Sequence, residues 1–181
     1  MSYLKIFPEK MPDQILEHSG TPEKIAALLT EIGVRFEQWQ PAASIKAGDE
    51  PSVVLDAYRS DVSRIVSQEG FVTVDVISLD SSNPNKDTLR QKFLSEHIHT
   101  EDEVRFFVEG QGLFYLHVAD KVYSVLCVKG DLLSVPANTP HWFDLGPEPE
   151  LVAIRFFNNP DGWIAHYTGN DIAESFPKLD G

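Results

Sequence analysis

The chain changes character about halfway along. Up to Leu94, apolar positions at helical spacing alternate with β-branched runs, whereas from Glu96 onward the apolar residues fall into short runs broken by turn residues. Thr21-Pro22 offers a cap followed by proline at the first helical position. Ile25, Leu28, Leu29 and Ile32 then repeat at three- and four-residue spacing up to Gly33, which predicts a short amphipathic helix. Val34 to Gln40 reads as a strand. Pro51 to Glu69 predicts a second helix with Leu55, Tyr58, Val62, Ile65 and Val66 facing inward, stopped by Gly70. Phe71 to Leu79 is β-branched and strand-like. Asn83-Pro84-Asn85 is a turn and helix start, and Leu89 with Phe93 gives Lys86 to Leu94 one apolar side. Five apolar runs follow, separated by Gly110-Gln111-Gly112, Ala119-Asp120-Lys121, Lys129-Gly130-Asp131 and the stretch Gly146 to Glu150. That is the spacing of antiparallel strands. Several runs, such as Leu113 to Val118, are apolar on both faces. They suit a closed barrel or two-layer jelly roll with its outer face covered by helices or a second sheet. The fold class is therefore mainly β with a few flanking N-terminal helices. With neither a Gly/Ser-rich linker nor an internal repeat, the chain reads as one domain. Its parts are a helical flank with outer strands over 1–94, a barrel core over 95–160 and a C-terminal segment over 161–181.

Composition narrows what such a domain does. The 181 residues, 42% hydrophobic and 24% charged, suffice for one globular domain with a real core. A formal net charge of -13 repels nucleic-acid phosphates and anionic lipid, so neither nucleic acid nor membrane is an expected partner. Any anionic substrate has to be drawn in by a local positive site. The single cysteine, Cys127, lies in the apolar run Val125-Leu126-Cys127-Val128; it excludes a disulfide scaffold and reads as a buried, inert thiol. Met1 to Lys10 shows neither an apolar signal region nor a membrane-spanning run, leaving the cytoplasm as the expected location.

Candidate chemistry concentrates between Glu96 and Arg105. Side chains alternate along a strand, so His97 and His99 project from one face about 7 Å apart, within joint reach of one ion. After a turn at Thr100 to Asp102, Glu103 returns a carboxylate to that face, and the same parity brings Arg105 and Phe107 inward. A fourth ligand has to come from a distant strand. His141 qualifies, because Pro136-Ala-Asn-Thr-Pro140 is a rigid turn that delivers it at the start of the next strand with Phe143 on its own face. Each residue also has a plainer reading. His18, His117 and His166 stand alone and read as surface or hydrogen-bonded core residues, so they are left out of the site. Glu101 and Asp102 read as turn charges, and Trp142 and Trp163 individually as packing residues. Arg105, between Glu103 and two phenylalanines, either pairs with a carboxylate or meets an anionic ligand.

The array as a whole carries a resemblance. His97-x-His99-x-x-x-Glu103 followed by Gly110 resembles the first cupin motif, and Gly130 to His141, with Pro136 between, resembles the second. Asn138 stands where cupins often have glycine and Leu145 where they often have asparagine, which bears on turn geometry and replaces no ligand. Glu103-Val-Arg-Phe-Phe-Val-Glu-Gly110, Pro136-Ala-Asn-Thr-Pro-His-Trp-Phe-Asp144, Asp161-Gly-Trp-Ile-Ala165 and Gly33-Val-Arg-Phe-Glu37 resemble the acireductone dioxygenases of the bacterial type, over nearly the whole chain.

The resemblance implies a cupin jelly-roll barrel holding one Fe(II) or Ni(II) per chain through His97, His99, Glu103 and His141. It implies an enzyme of methionine salvage that cleaves the acireductone 1,2-dihydroxy-3-keto-5-methylthiopentene with dioxygen, and a monomer is expected. The Fe(II) form gives the keto acid 2-keto-4-methylthiobutyrate and formate; the Ni(II) form gives methylthiopropionate, formate and carbon monoxide. Arg105 then has a catalytic role as charge partner of the substrate dianion. Glu96 and Asp102 flank the ligands as supporting or metal-attracting carboxylates, and Phe107, Phe143 and Trp163 are the candidate substrate contacts. A cupin isomerase, a dioxygenase for another enediol and a non-catalytic metal-binding cupin share the same ligand pattern and stand as alternatives.

Overall fold

The structure, a computed structural model, describes residues 1–41, 45–46, 48–160 and 163–180. Two antiparallel sheets share one strand, β6 (Glu103–Val118), which is 16 residues long. The first half of β6 pairs with β8 (Asp131–Val135) and β10 (Leu151–Phe157), the second half with β7 (Lys121–Val128) and β9 (His141–Asp144). In the first sheet, β3 (Arg35–Gln38) lies beyond β8 and β4 (Thr73–Leu79) beyond β10. The second sheet runs from β2 (Glu17–Ser19) through β1 (Tyr3–Pro8), β7, β6 and β9 to β5 (His97–Ile98) and β11 (His166–Tyr167). The result is the expected mainly-β cupin architecture.

Three local expectations are corrected. Gly110-Gln111-Gly112 does not separate two strands: β6 runs through it and turns there from one sheet to the other. Gly110 has φ +81°, and a Cβ on it would lie 1.5 Å from the Glu150 carbonyl oxygen, so only glycine fits the corner. Just before it, a register slip opposite Val152 and Ala153 leaves Val108 unmatched, a bulge that bends the strand toward the second sheet. The helix expected over Pro51 to Glu69 is two helices, α2 (Pro51–Ala57) and α3 (Arg59–Glu69), broken at Tyr58, which has φ -112° and ψ 19°. The break lets the Tyr58 ring meet Phe106 edge-on at 4.8 Å. The N-terminal β1 and β2, to which the apolar pattern assigned no element, edge the second sheet.

The remaining helices, α1 (Pro22–Thr30) and α4 (Lys86–Leu94), stand where the pattern put them. Strands apolar on both faces are explained by what covers them. One core fills the barrel, including Phe107, Phe114, Leu116 and Phe143. Val104, Phe106 and Val108 face the other way, under Val54 of α2, Ile65 of α3 and Tyr58 between them. On the second sheet Leu113, Tyr115 and Trp142 lie under Ala173 and Phe176 near the C-terminus. Cys127 is fully buried, and burial pushes its thiol well above the usual range. Among the described residues no helix is long and apolar enough to cross a membrane.

Candidate metal centre

His97 on β5 lies directly opposite His141 on β9, while His99 follows two residues later on the same face. Strand pairing therefore joins residues 44 positions apart in the chain. The turn ahead of His141 is held in place by the segment it must face: the Ala137 N–H donates to Asp102 Oδ1 at 2.8 Å and the Asn138 N–H to the His99 carbonyl at 2.8 Å. Asn138 takes the left-handed conformation, φ 62°, that a glycine would adopt there. All three imidazoles are buried, and each offers one nitrogen within 4.8 Å of the others.

Their orientation is set by backbone carbonyls. His97 Nδ1 faces Ser95 O at 2.7 Å, His99 Nδ1 faces Ile164 O at 2.8 Å and His141 Nδ1 faces Thr139 O at 2.8 Å. A carbonyl only accepts, so each Nδ1 carries a hydrogen, and each Nε2 is the nitrogen turned toward the cluster, able to hold a metal once it is deprotonated. Glu103 sets a carboxylate among them, with Oε2 2.9 Å from His99 Nε2 and 3.0 Å from His141 Nε2. Burial opposes charge on Glu103. Hydrogen bonds from His141 and His99 and the charge of Arg105 outweigh it and hold the carboxyl well below the usual carboxylate range. Burial, with the like charge of His141, pulls His97 down to about 4, so its Nε2 lone pair is available at neutral pH. Burial also works against charge on His99, but the hydrogen bond and charge of Glu103 raise its pKa.

His97, His99 and Glu103 line one wall of a cavity of about 290 Å³, with His141 buried behind them. Arg105 reaches into it from β6. Its guanidinium donates to Glu103 Oε1 at 3.1 Å and lies 4.7 Å from the Phe143 ring centre and 5.4 Å from that of Trp163. Nε of Arg105 is buried and has no hydrogen-bond partner among the described residues. Phe143 owes its position to Gly112, since a Cβ there would meet the ring at 2.3 Å. Trp163 also lines the cavity and donates its indole N–H to the Asp102 carbonyl at 3.2 Å. Of the segment Asp161 to Ala165, residues 161 and 162 lie outside the described residues.

Three expected site residues stand apart from the cavity wall. Phe107 is fully buried behind Gly112, in T-shaped contact with Phe114, because the strand has already passed into the barrel core at that point. Strand parity turns Glu96 away from His97. Its carboxylate meets His117 Nδ1 at 2.6 Å and the Thr168 hydroxyl at 2.6 Å. Asp102 points at the β8–β9 turn rather than at the cavity. Conversely, the apolar pattern passed over Lys92, Asp75 and Arg155, all on the cavity wall. Arg155, on β10, sits directly across from Arg105 on β6 and from Asp75 on β4, to which it forks at 2.8 and 2.6 Å. The signal that could have found it was the inward parity of an arginine in an otherwise apolar strand.

Buried nitrogen acceptors converging beside an ionised carboxylate need a cation to offset them, and imidazole with carboxylate suits iron, nickel, zinc or copper. The residues present thus fit a divalent transition metal. The comparisons with known proteins agree with that chemistry. Residues 3–165 match the model of the ARD/ARD' family. Acireductone dioxygenases of Alcanivorax borkumensis and Stutzerimonas stutzeri are each 54% identical, over 98% and 99% of both chains. A solved structure described as acireductone dioxygenase from Bacillus anthracis with cadmium ion in active center superposes with a TM-score of 0.81 at 32% identity, covering 92% of this chain and 98% of that one. Convergent donors, fold and end-to-end similarity agree, and the chain belongs to the ARD/ARD' family, the acireductone dioxygenases.

Proposed function

We propose that the chain cleaves 1,2-dihydroxy-3-keto-5-methylthiopentene with dioxygen, holding one divalent ion through His97, His99, His141 and Glu103. The observation that carries this reading is a buried Arg105 Nε, without a hydrogen-bond partner among the described residues, beside four converging donor side chains. Three neutral imidazoles and one carboxylate leave a divalent ion with one net positive charge, suited to an anionic chelating enediolate. When bound, the ion would supply Lewis acidity that favours loss of the enediol proton remaining on the substrate anion. The chain supplies the rest. Arg105, held flat by Phe143 and Trp163 and anchored on Glu103, offers its free N–H to the second substrate oxygen, which stabilises the dianion. Its burial strengthens that contact, because little water competes for it. Phe143 and Trp163, with Phe93 and Phe157 on the same wall, give the methylthio tail an apolar surface. The protein acts as a monomer on a small molecule and dioxygen.

The test leaves the polypeptide unchanged. Protein stripped of metal and reloaded separately with Fe(II) or Ni(II) is given synthetic acireductone under oxygen. The iron form should release formate and 2-keto-4-methylthiobutyrate without gas. The nickel form should release carbon monoxide, formate and methylthiopropionate. Identical products from two active, homogeneously loaded forms would sink the dual chemistry; inactivity of both would sink the substrate assignment.

A further inference from the structure

The cavity carries a sign opposite to the rest of the molecule. Its wall holds three cationic side chains, Lys92, Arg105 and Arg155, against two carboxylates, Asp75 and Glu103, in a chain of formal net charge -13. Two of the three positive charges are compensated where they stand, since Arg105 pairs with Glu103 and Arg155 with Asp75. Lys92 is the third, and among the described residues no carboxylate lies within ion-pair distance of it. Arg105 is 5% exposed; Lys92, on the last turn of α4, is solvent-exposed. One cation thus stands inside the cavity and the other at its mouth.

The backbone that carries the mouth cation is tied to the strand beside the metal centre. The Lys92 carbonyl accepts the Tyr167 hydroxyl at 2.8 Å, and Tyr167 pairs across β11 with His97, its ring centre 5.9 Å from that imidazole. Its neighbour Phe93 lines the same cavity, and the Lys92 ammonium sits 5.8 Å from that ring centre.

We propose that Lys92 is a substrate-gathering residue whose uncompensated ammonium draws small organic anions across an otherwise repulsive surface toward Arg105. The inference rests on the proposed reaction only for the sign of the substrate: a reductone is a vinylogous acid and arrives as an anion. An unscreened unit charge acting across about 8 Å of water changes local anion concentration about twofold, and reversing it compounds the effect to about fivefold. Salt removes the advantage as the screening length falls from about 10 Å at 0.1 M to about 3 Å at 1 M.

Lys92→Gln, Lys92→Glu and Lys92→Arg test it on the metal-loaded protein, with Lys24→Glu as a charge-matched control outside the cavity. At low ionic strength kcat/KM for synthetic acireductone should fall about twofold in the glutamine variant and about fivefold in the glutamate variant. The loss should appear in KM, be restored by arginine, be absent in the control and close at high salt. A second readout needs no turnover. Trp39 and Trp142 are 6% and 2% exposed, so quenching reports chiefly on Trp163 at the cavity. Iodide should quench Lys92→Glu less than wild type, and neutral acrylamide should quench both alike. Weaker iodide quenching alongside an inactive wild type would uphold gathering and reject the reaction. Unchanged iodide quenching in Lys92→Glu overturns the proposal whatever the activity, as does a loss confined to kcat.

Discussion

His117 and the three histidines of the metal centre are neighbours, Leu116 being the cross-strand partner of His141, yet their rings are used in opposite ways. His117 has a carboxylate on each nitrogen, Glu96 at 2.6 Å and Glu9 at 3.1 Å. Both nitrogens donate, so the ring is a charged clamp with no lone pair to offer. His97, His99 and His141 each give Nδ1 to a backbone carbonyl, and their Nε2 atoms turn to one another and to Glu103, which faces Nε2 of His99 and His141 as a fellow donor around the space a metal would take. Burial and the like charge of His141 pull the pKa of His97 down. At His117 burial also acts downward, but the hydrogen bonds to Glu96 and Glu9 prevail and raise the pKa. The residue type is the same; the group facing the first nitrogen decides whether the second can bind metal.

The largest effect is expected from removing each ring. His97→Ala, His99→Ala or His141→Ala should weaken metal binding by more than about a hundredfold, since loss of supporting partners alone costs 10–100-fold, and abolish turnover. Metal analysis should show His117→Ala still fully loaded. Metal loss from that variant equal to the other three would erase the distinction.

Next in size is the cation beside the donors. Arg105→Ala should keep its metal and lose about 3 kcal/mol of transition-state stabilisation, roughly a hundredfold or more in rate. Lysine should rescue only in part, lacking the planar fork. Kinetics like wild type in Arg105→Ala would make Arg105 merely the structural partner of Glu103.

A smaller effect sharpens the contrast from behind the site. Gly112→Ala forces its Cβ against the Phe143 ring and should cost about 1–3 kcal/mol of stability by overpacking. It should also displace the ring beneath Arg105, so kcat/KM falls while metal content holds. Unaltered melting temperature and activity would show that the ring moves freely and does not hold Arg105.

The smallest effect concerns the clamp. Because the folded-state pKa of His117 is raised, its stabilisation is fully present below the unfolded value of about 6.5 and is lost as pH rises through the folded value. His117→Gln should therefore melt below wild type in mild acid, and the gap should close toward alkaline pH. A gap independent of pH would assign the effect to packing instead of charge.

Much of this was legible locally. Thr21-Pro22 and Gly33 bracket α1 because caps act within one turn, and the His97, His99 and Glu103 parity follows from strand alternation and one short turn. The elements misread were those whose reasons lie elsewhere. Tyr58 breaks a helix to reach Phe106, and β1 is a strand because β7 offers it an edge to pair with.

The strand-rich character, the histidine triad His97, His99 and His141 and the rigid turn before His141 could be read from the sequence, since each depends on backbone preferences over a few residues. Only the tertiary structure decided that β6 bends through Gly110 between two sheets, that Phe107 ends behind Gly112 and that Glu96 turns to His117. It also brought Asp75 and Arg155, 80 residues apart, to the wall facing Arg105. Those outcomes depend on register between strands distant in the chain, where a single bulged residue re-aims the side chains beyond it and no short window of sequence records the choice.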